Sequence, residues 1–135
     1  MNTNVLKALN SYEQVSHTSR ETKDPKELVG LLFQGLTDRI ATARAAHANG
    51  DRNLRGQNIS KAQKILFGLL DSLDFDKGGE IAQNLARVYN YSIRKLTEAH
   101  AEESDEAMRE IMDISVGLRD AWKQIPASNS LARVQ

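Results

Sequence analysis

Residues 24–50 read DPKELVGLLFQGLTDRIATARAAHANG, and the reading of this stretch decides the fold class. Asp24 stands where an N-cap belongs, Pro25 at N1 needs no amide hydrogen bond, and Glu27 at N3 completes a capping-box pattern. From there Leu28, Leu32, Leu36, Ile40, Ala43 and His47 recur at steps of three and four, one apolar face of a helix over 25–48. Asn49 and Gly50 end it, because glycine reaches the left-handed conformation that closes helices.

The same pattern returns three times downstream. Ile59, Ala62, Leu66, Leu69 and Leu73 predict a helix over 53–73, and the polar, glycine-containing run 74–79 predicts a loop. Ile81, Leu85, Val88, Ser92, Leu96 and Ala99 predict a third helix over 80–101. After a polar turn in which Ser104 is placed to cap, Ala107, Ile111, Ile114, Leu118 and Ala121 predict a fourth over 105–124. Pro126 stops it, and 125–135 reads as a frayed tail. No stretch alternates with period two between turn residues, so no strand is predicted. Four helices of about 20 residues on short loops make an all-α, antiparallel up-down four-helix bundle over 24–124. Within it, Leu66 and Leu85 are expected to be fully buried.

Residues 1–23 differ from the rest. This polar arm carries only scattered apolar groups, among them Leu6, Leu9 and Tyr12, whose spacing leaves a short helix and a mobile arm both open. The 135 residues fit one domain, large enough to bury a core without staples. The absence of cysteine excludes disulfides, iron–sulfur clusters, thiolate zinc sites and thiol nucleophiles. Eighteen basic residues balance 18 acidic ones, which offers no basic stripe for nucleic acid. With no long apolar run and no signal-peptide core, we expect a cytosolic protein without membrane insertion.

Chemical motifs fail on inspection. Gly30 and Gly35 have P-loop spacing, but Leu36 stands where a lysine must reach phosphate, and the segment lies inside a helix. Small residues that admit a neighbouring helix explain them better. Counted from Asp74, the twelfth position of a calcium loop is Leu85 instead of a bidentate glutamate. The residues three before His17, His47 and His100 are Gln14, Arg44 and Thr97, so no di-iron Glu-x-x-His motif exists. Met108 and Met112 read as gap-filling core and not as haem ligands. We expect no enzyme activity and no cofactor.

Surplus apolar surface remains. Ile65, Phe67 and Leu70 flank the stripe of the second helix, and Tyr89, Tyr91 and Ile93 flank that of the third. A wide core stripe and a groove for an amphipathic partner helix both account for them. Four ordered blocks then resemble a known family. These are Tyr12 with Leu28-Val29 and Leu31-Leu32-Phe33, Ile59-Ser60-Lys61-Ala62 with Ser72-Leu73-Asp74, Asn84-Leu85 with Tyr89, Tyr91, Arg94 and Leu96, and Asp120-Ala121-Trp122-Lys123. Over about residues 10 to 124 the chain resembles the flagellar secretion chaperones, the FliS family. Phe33, where many members have tyrosine, Ser92, where methionine is common, and His100, where asparagine is common, bear on client preference.

The resemblance implies a non-enzymatic bundle that holds the C-terminal segment of flagellin, blocks premature polymerisation and assists delivery to the flagellar export apparatus. It leaves open whether the export-gate protein and an anti-sigma factor also bind, and whether the free protein is a monomer or a weak homodimer. A self-associating adaptor without a flagellin client is the alternative. The expected partner-binding residues are Tyr12, Phe33, Ile65, Phe67, Leu70, Tyr89, Tyr91 and Ile93. We further expect the arm, anchored by Tyr12, to cover a groove between the second and third helices lined by Ile65, Phe67, Leu70, Tyr89 and Tyr91. Permanent packing or disorder of the arm is the alternative. With zero net charge, client binding should be mainly apolar and salt-tolerant.

Overall fold

Four helices follow one another in the computed structural model, which describes residues 24–126 and 134–135. They are α1 (Pro25–Ala48), α2 (Arg52–Ser72), α3 (Phe75–Ala101) and α4 (Asp105–Gln124). No strand occurs among the described residues. Each start is capped by a side chain that accepts a backbone N–H left unpaired by the helix. Asp24 accepts from Lys26, Asp51 from Leu54, Asp74 from Lys77 and Ser104 from Ala107, all at 2.9–3.1 Å. Three-residue or shorter turns make sequential helices antiparallel, and contacts run around the ring α1–α2–α3–α4–α1. Tyr12 and the rest of the expected arm lie outside the described residues.

Two boundaries differ from the sequence-based expectation. Leu73 leaves the second helix and takes an extended conformation (φ −60°, ψ 134°). Asp74 then caps a turn at Phe75–Gly78, inside the predicted loop, before Gly79 (φ 48°) breaks the run and the regular helix proceeds from Glu80. Positive φ costs glycine little, which is why the chain can change direction there. The tail also departs from the frayed reading at its described end, where Val134 is buried and Gln135 is hydrogen-bonded.

Burial is unequal among the helices. α1 hides ten residues, α3 and α4 only five each, so α1 is the spine and the other two are amphipathic walls. The predicted stripes of α1 and α2 are buried from Leu28 to Ala43 and from Ile59 to Leu73. On α3 and α4 the stripes hold only near their connecting turn, at Ser92, Leu96 and Ala99 opposite Ala107 and Ile111. Farther from the turn they open to solvent. Leu85 is half-buried, contrary to expectation, because Ile81, Leu85 and Leu118 stand where the two helices part.

The turn end of the bundle is fixed by a buried arginine. Arg55, 3% exposed, donates Nε–H to His100 Nδ1 at 3.0 Å and Nη2–H to the His100 carbonyl at 3.2 Å. Its Nη1 meets His47 Nδ1 at 3.0 Å, and Glu103 lies 3.6 Å away. Gly56 lets α2 approach α3, since a Cβ there would come within 3.0 Å of the His100 ring. Arg44 adds a two-pronged pair to Asp105, at 2.9 and 3.0 Å, tying α1 to the start of α4. That pair holds the Asp105 carboxyl below its usual range, but it is partly exposed and therefore contributes little stability.

Two predictions follow from this packing. Leu66→Ala should cost about 2–5 kcal/mol through lost burial and a residual cavity, whereas Leu85→Ala should cost less than half as much. Urea denaturation midpoints check both, and equal losses would contradict the opened seam. The second concerns His100, which burial and then Arg55 hold below the ordinary value of 6.5, with Arg52 assisting and Glu103 opposing. The unfolded chain thus accepts a proton that the folded chain resists. Stability present above about pH 6.5 should decline as pH falls through the lower folded value. Midpoints measured from about pH 7 to pH 5 should show this decline, and His100→Asn should flatten it.

Candidate functional site

A cavity walled almost wholly by apolar side chains lies among the described residues at the far end of the α3–α4 seam, where α3 begins and α4 ends. Ile81, 44% exposed, and Leu85 line it from α3, and Leu118 and Ala121 line it from α4. Phe33 of α1 and Trp122 form the floor, edge to face with ring centres 6.0 Å apart. The indole N–H donates to the Lys26 carbonyl at 2.7 Å, which fixes the ring, and the Lys26 ammonium sits 5.9 Å from its centre. Ile125 and Val134 complete a cavity of about 150 Å³.

Toward the turn the same seam becomes polar. The Tyr91 hydroxyl donates to Glu110 across the helices, which pushes its phenol pKa up. Lys95 pairs with Glu98 at 3.4 Å. Beyond it a cavity of about 400 Å³ is lined by Lys95, Glu102, Glu106 and Glu110. The seam is therefore an amphipathic groove, apolar at one end and charged at the other, the complement of a helix with one apolar face.

The remaining cavities suit apolar ligands less well. One of about 470 Å³ between α2 and α3 is walled by Arg52, Gln57, Gln63, Thr97 and His100. Another of about 510 Å³ lies between α1 and α4 at Gly30, Leu31 and Lys123. Among the described residues, no group of three or more histidines, aspartates or glutamates is placed to hold a metal ion. No described helix is long and apolar enough to cross a membrane.

The structure separates the residues that the sequence groups together. Phe33 lies under the groove and Tyr91 on its polar half. Ile93 is half-buried, with its carbonyl accepting from Gln63 of α2 at 2.9 Å. Phe67, 51% exposed, and Leu70 form a separate strip on α2. Ile65 and Tyr89 are fully buried, while Phe67 and Tyr91 of the same expected lining are exposed. Ile65 and Tyr89 point inward because the core stripe is wide, and Tyr89 keeps its hydroxyl satisfied through Gln135. Burial pushes that phenol far up, to a pKa beyond ordinary titration. Ile81, Leu85, Leu118 and Ala121 fall on the predicted core stripes; periodicity identifies their face, and the packing leaves it exposed or half-buried.

Known proteins resemble this chain over most of its length. The sequence profile of the family described as flagellar protein FliS matches residues 8–129. The flagellar secretion chaperone FliS of Salmonella typhimurium (strain LT2) is 37% identical over 119 residues, covering 87% of this chain and 88% of the relative. The flagellar secretion chaperone FliSB of Pseudomonas aeruginosa is 35% identical over 121 residues, covering 89% and 96%. The FliS of Bacillus subtilis (strain 168) is 29% identical over 115 residues, covering 85% of each. The chain belongs to the FliS family of flagellar secretion chaperones.

Proposed function

We propose that the protein binds the C-terminal segment of flagellin in the α3–α4 groove, prevents its premature polymerisation and assists its delivery to the flagellar type III export apparatus. The family is one of chaperones and not of enzymes, and its role implies a flagellar client. One observation carries the placement: Ile81, Leu85, Leu118 and Ala121 form an exposed to half-buried apolar strip above the Phe33–Trp122 floor. A client helix would set its apolar face there and turn its polar flank toward Tyr91 and Glu110. Ordering such a segment costs entropy, which the buried apolar area offsets. Phe67 and Leu70 offer a second strip farther round the bundle for a client long enough to reach it. The setting we propose is the cytoplasm, where flagellin is held before export.

Calorimetry with a flagellin C-terminal peptide tests this reading. A one-to-one complex is expected, and Leu118→Glu should weaken it about tenfold or more, since a charge would then enter an apolar contact. Circular dichroism shows whether the variant is folded. Raising salt from low to physiological concentration should change affinity by less than about tenfold, because apolar contacts are not screened. A dimer indifferent to the peptide would contradict the proposal and favour a self-associating adaptor.

A further inference from the structure

The last described residues return to the bundle at the open end of the groove. Val134 is 2% exposed, and its carbonyl accepts the Asp74 N–H at 2.8 Å. Its side chain forms one wall of the cavity lined also by Phe33, Ile81, Leu85, Leu118 and Trp122. Gly78 leaves the room, since a Cβ there would lie 2.9 Å from Val134 Cγ1. Gln135 reads the polar groups next to the cavity. Its Nε2 donates to the Leu69 carbonyl at 3.0 Å and to Ser72 Oγ at 2.7 Å, while its Oε1 accepts from the Tyr89 hydroxyl. Tyr89 is fully buried and Ser72 nearly so, while Gln135 itself is half-buried.

This is how a short peptide segment is recognised. A main-chain hydrogen bond sets the register, one apolar side chain fills a pocket, and an amide satisfies buried polar groups. We propose that this socket is a subsite of the client groove, specific for an apolar residue followed by an amide residue, and that the chain's own Val134–Gln135 pair occupies it in competition with the client. The proposal rests on the reading of the α3–α4 groove as the flagellin surface. Val134 walls the same cavity as the apolar strip, so a client residue seated deeper at that end must displace it. An intrachain occupant weakens the apparent affinity of an incoming ligand by the fraction of time the site is free. A tail that holds the socket about two-thirds of the time weakens the client about threefold.

Calorimetry of the full chain with the flagellin C-terminal peptide tests the competition through two variants. Val134→Asp puts a charge where an apolar pocket rejects it, and Gln135→Ala removes the amide bonds while leaving the valine. The first should bind the peptide about threefold or more tighter than the unaltered chain, with the second in between. Unchanged or weaker binding by both variants, with the unaltered chain still binding, would overturn the proposal and make the pair a part of the core. If neither the unaltered chain nor the variants bind, the flagellin reading itself fails and the competition falls with it. Should Val134→Asp fail to unfold cooperatively in denaturant, Gln135→Ala alone decides by the sign of its effect.

Discussion

The α3–α4 seam changes character along its length. Toward the connecting turn Ser92, Leu96, Ala99, Ala107 and Ile111 are buried, and polar groups line a cavity of about 400 Å³ at the surface. At the far end Ile81, Leu85 and Leu118 are exposed or half-buried, so the seam presents an apolar face where α3 begins and α4 ends. Because α1 buries ten of its 24 residues in the core, the gap does not expose the centre of the bundle. It exposes a floor of Phe33 and Trp122 instead, and that floor is what turns a packing defect into a binding surface.

The two ends of the bundle consequently differ in kind. At the turn end, polar groups carry the order. Arg55 joins α1, α2 and α3 through His47 and His100, and Arg44 clamps the start of α4 through Asp105. Buried guanidinium groups are strongly disfavoured unless their donors are matched, so this end tolerates little rearrangement. At the open end the groove lining is apolar and its contacts are non-directional, while hydrogen bonds to Val134 and Gln135 lie at its edge. The rigid end sets the spacing of α3 and α4, and the open end uses it.

Much of this was legible in the sequence. The caps at Asp24 and Ser104, the stripes of α1 and α2, and the glycine break before the third helix follow from local chemistry that needs no knowledge of neighbours. The direction of Ile65 and Tyr89 was not legible, because a period of 3.6 residues assigns a face to a helix without saying which partner covers it. Ile81 and Leu118 show the same limit from the other side, since they occupy core positions of their repeats and yet meet solvent or half-meet it. Val134 and Gln135 carry no periodic signal at all. Their places depend on Asp74, Leu69 and Tyr89, contacts distant in sequence that only the fold assembles.

The central claim is that the open apolar end of the α3–α4 seam is the client surface. Methyl NMR during titration with a flagellin C-terminal peptide tests it most directly, because each isoleucine and leucine reports its own surroundings. The account predicts the largest shifts at Ile81, Leu85, Leu118 and Ile125, with Ile59 and Leu66 nearly still. Shifts concentrated instead at Leu54 and Ile59, beside the polar cavity between α2 and α3, would contradict it.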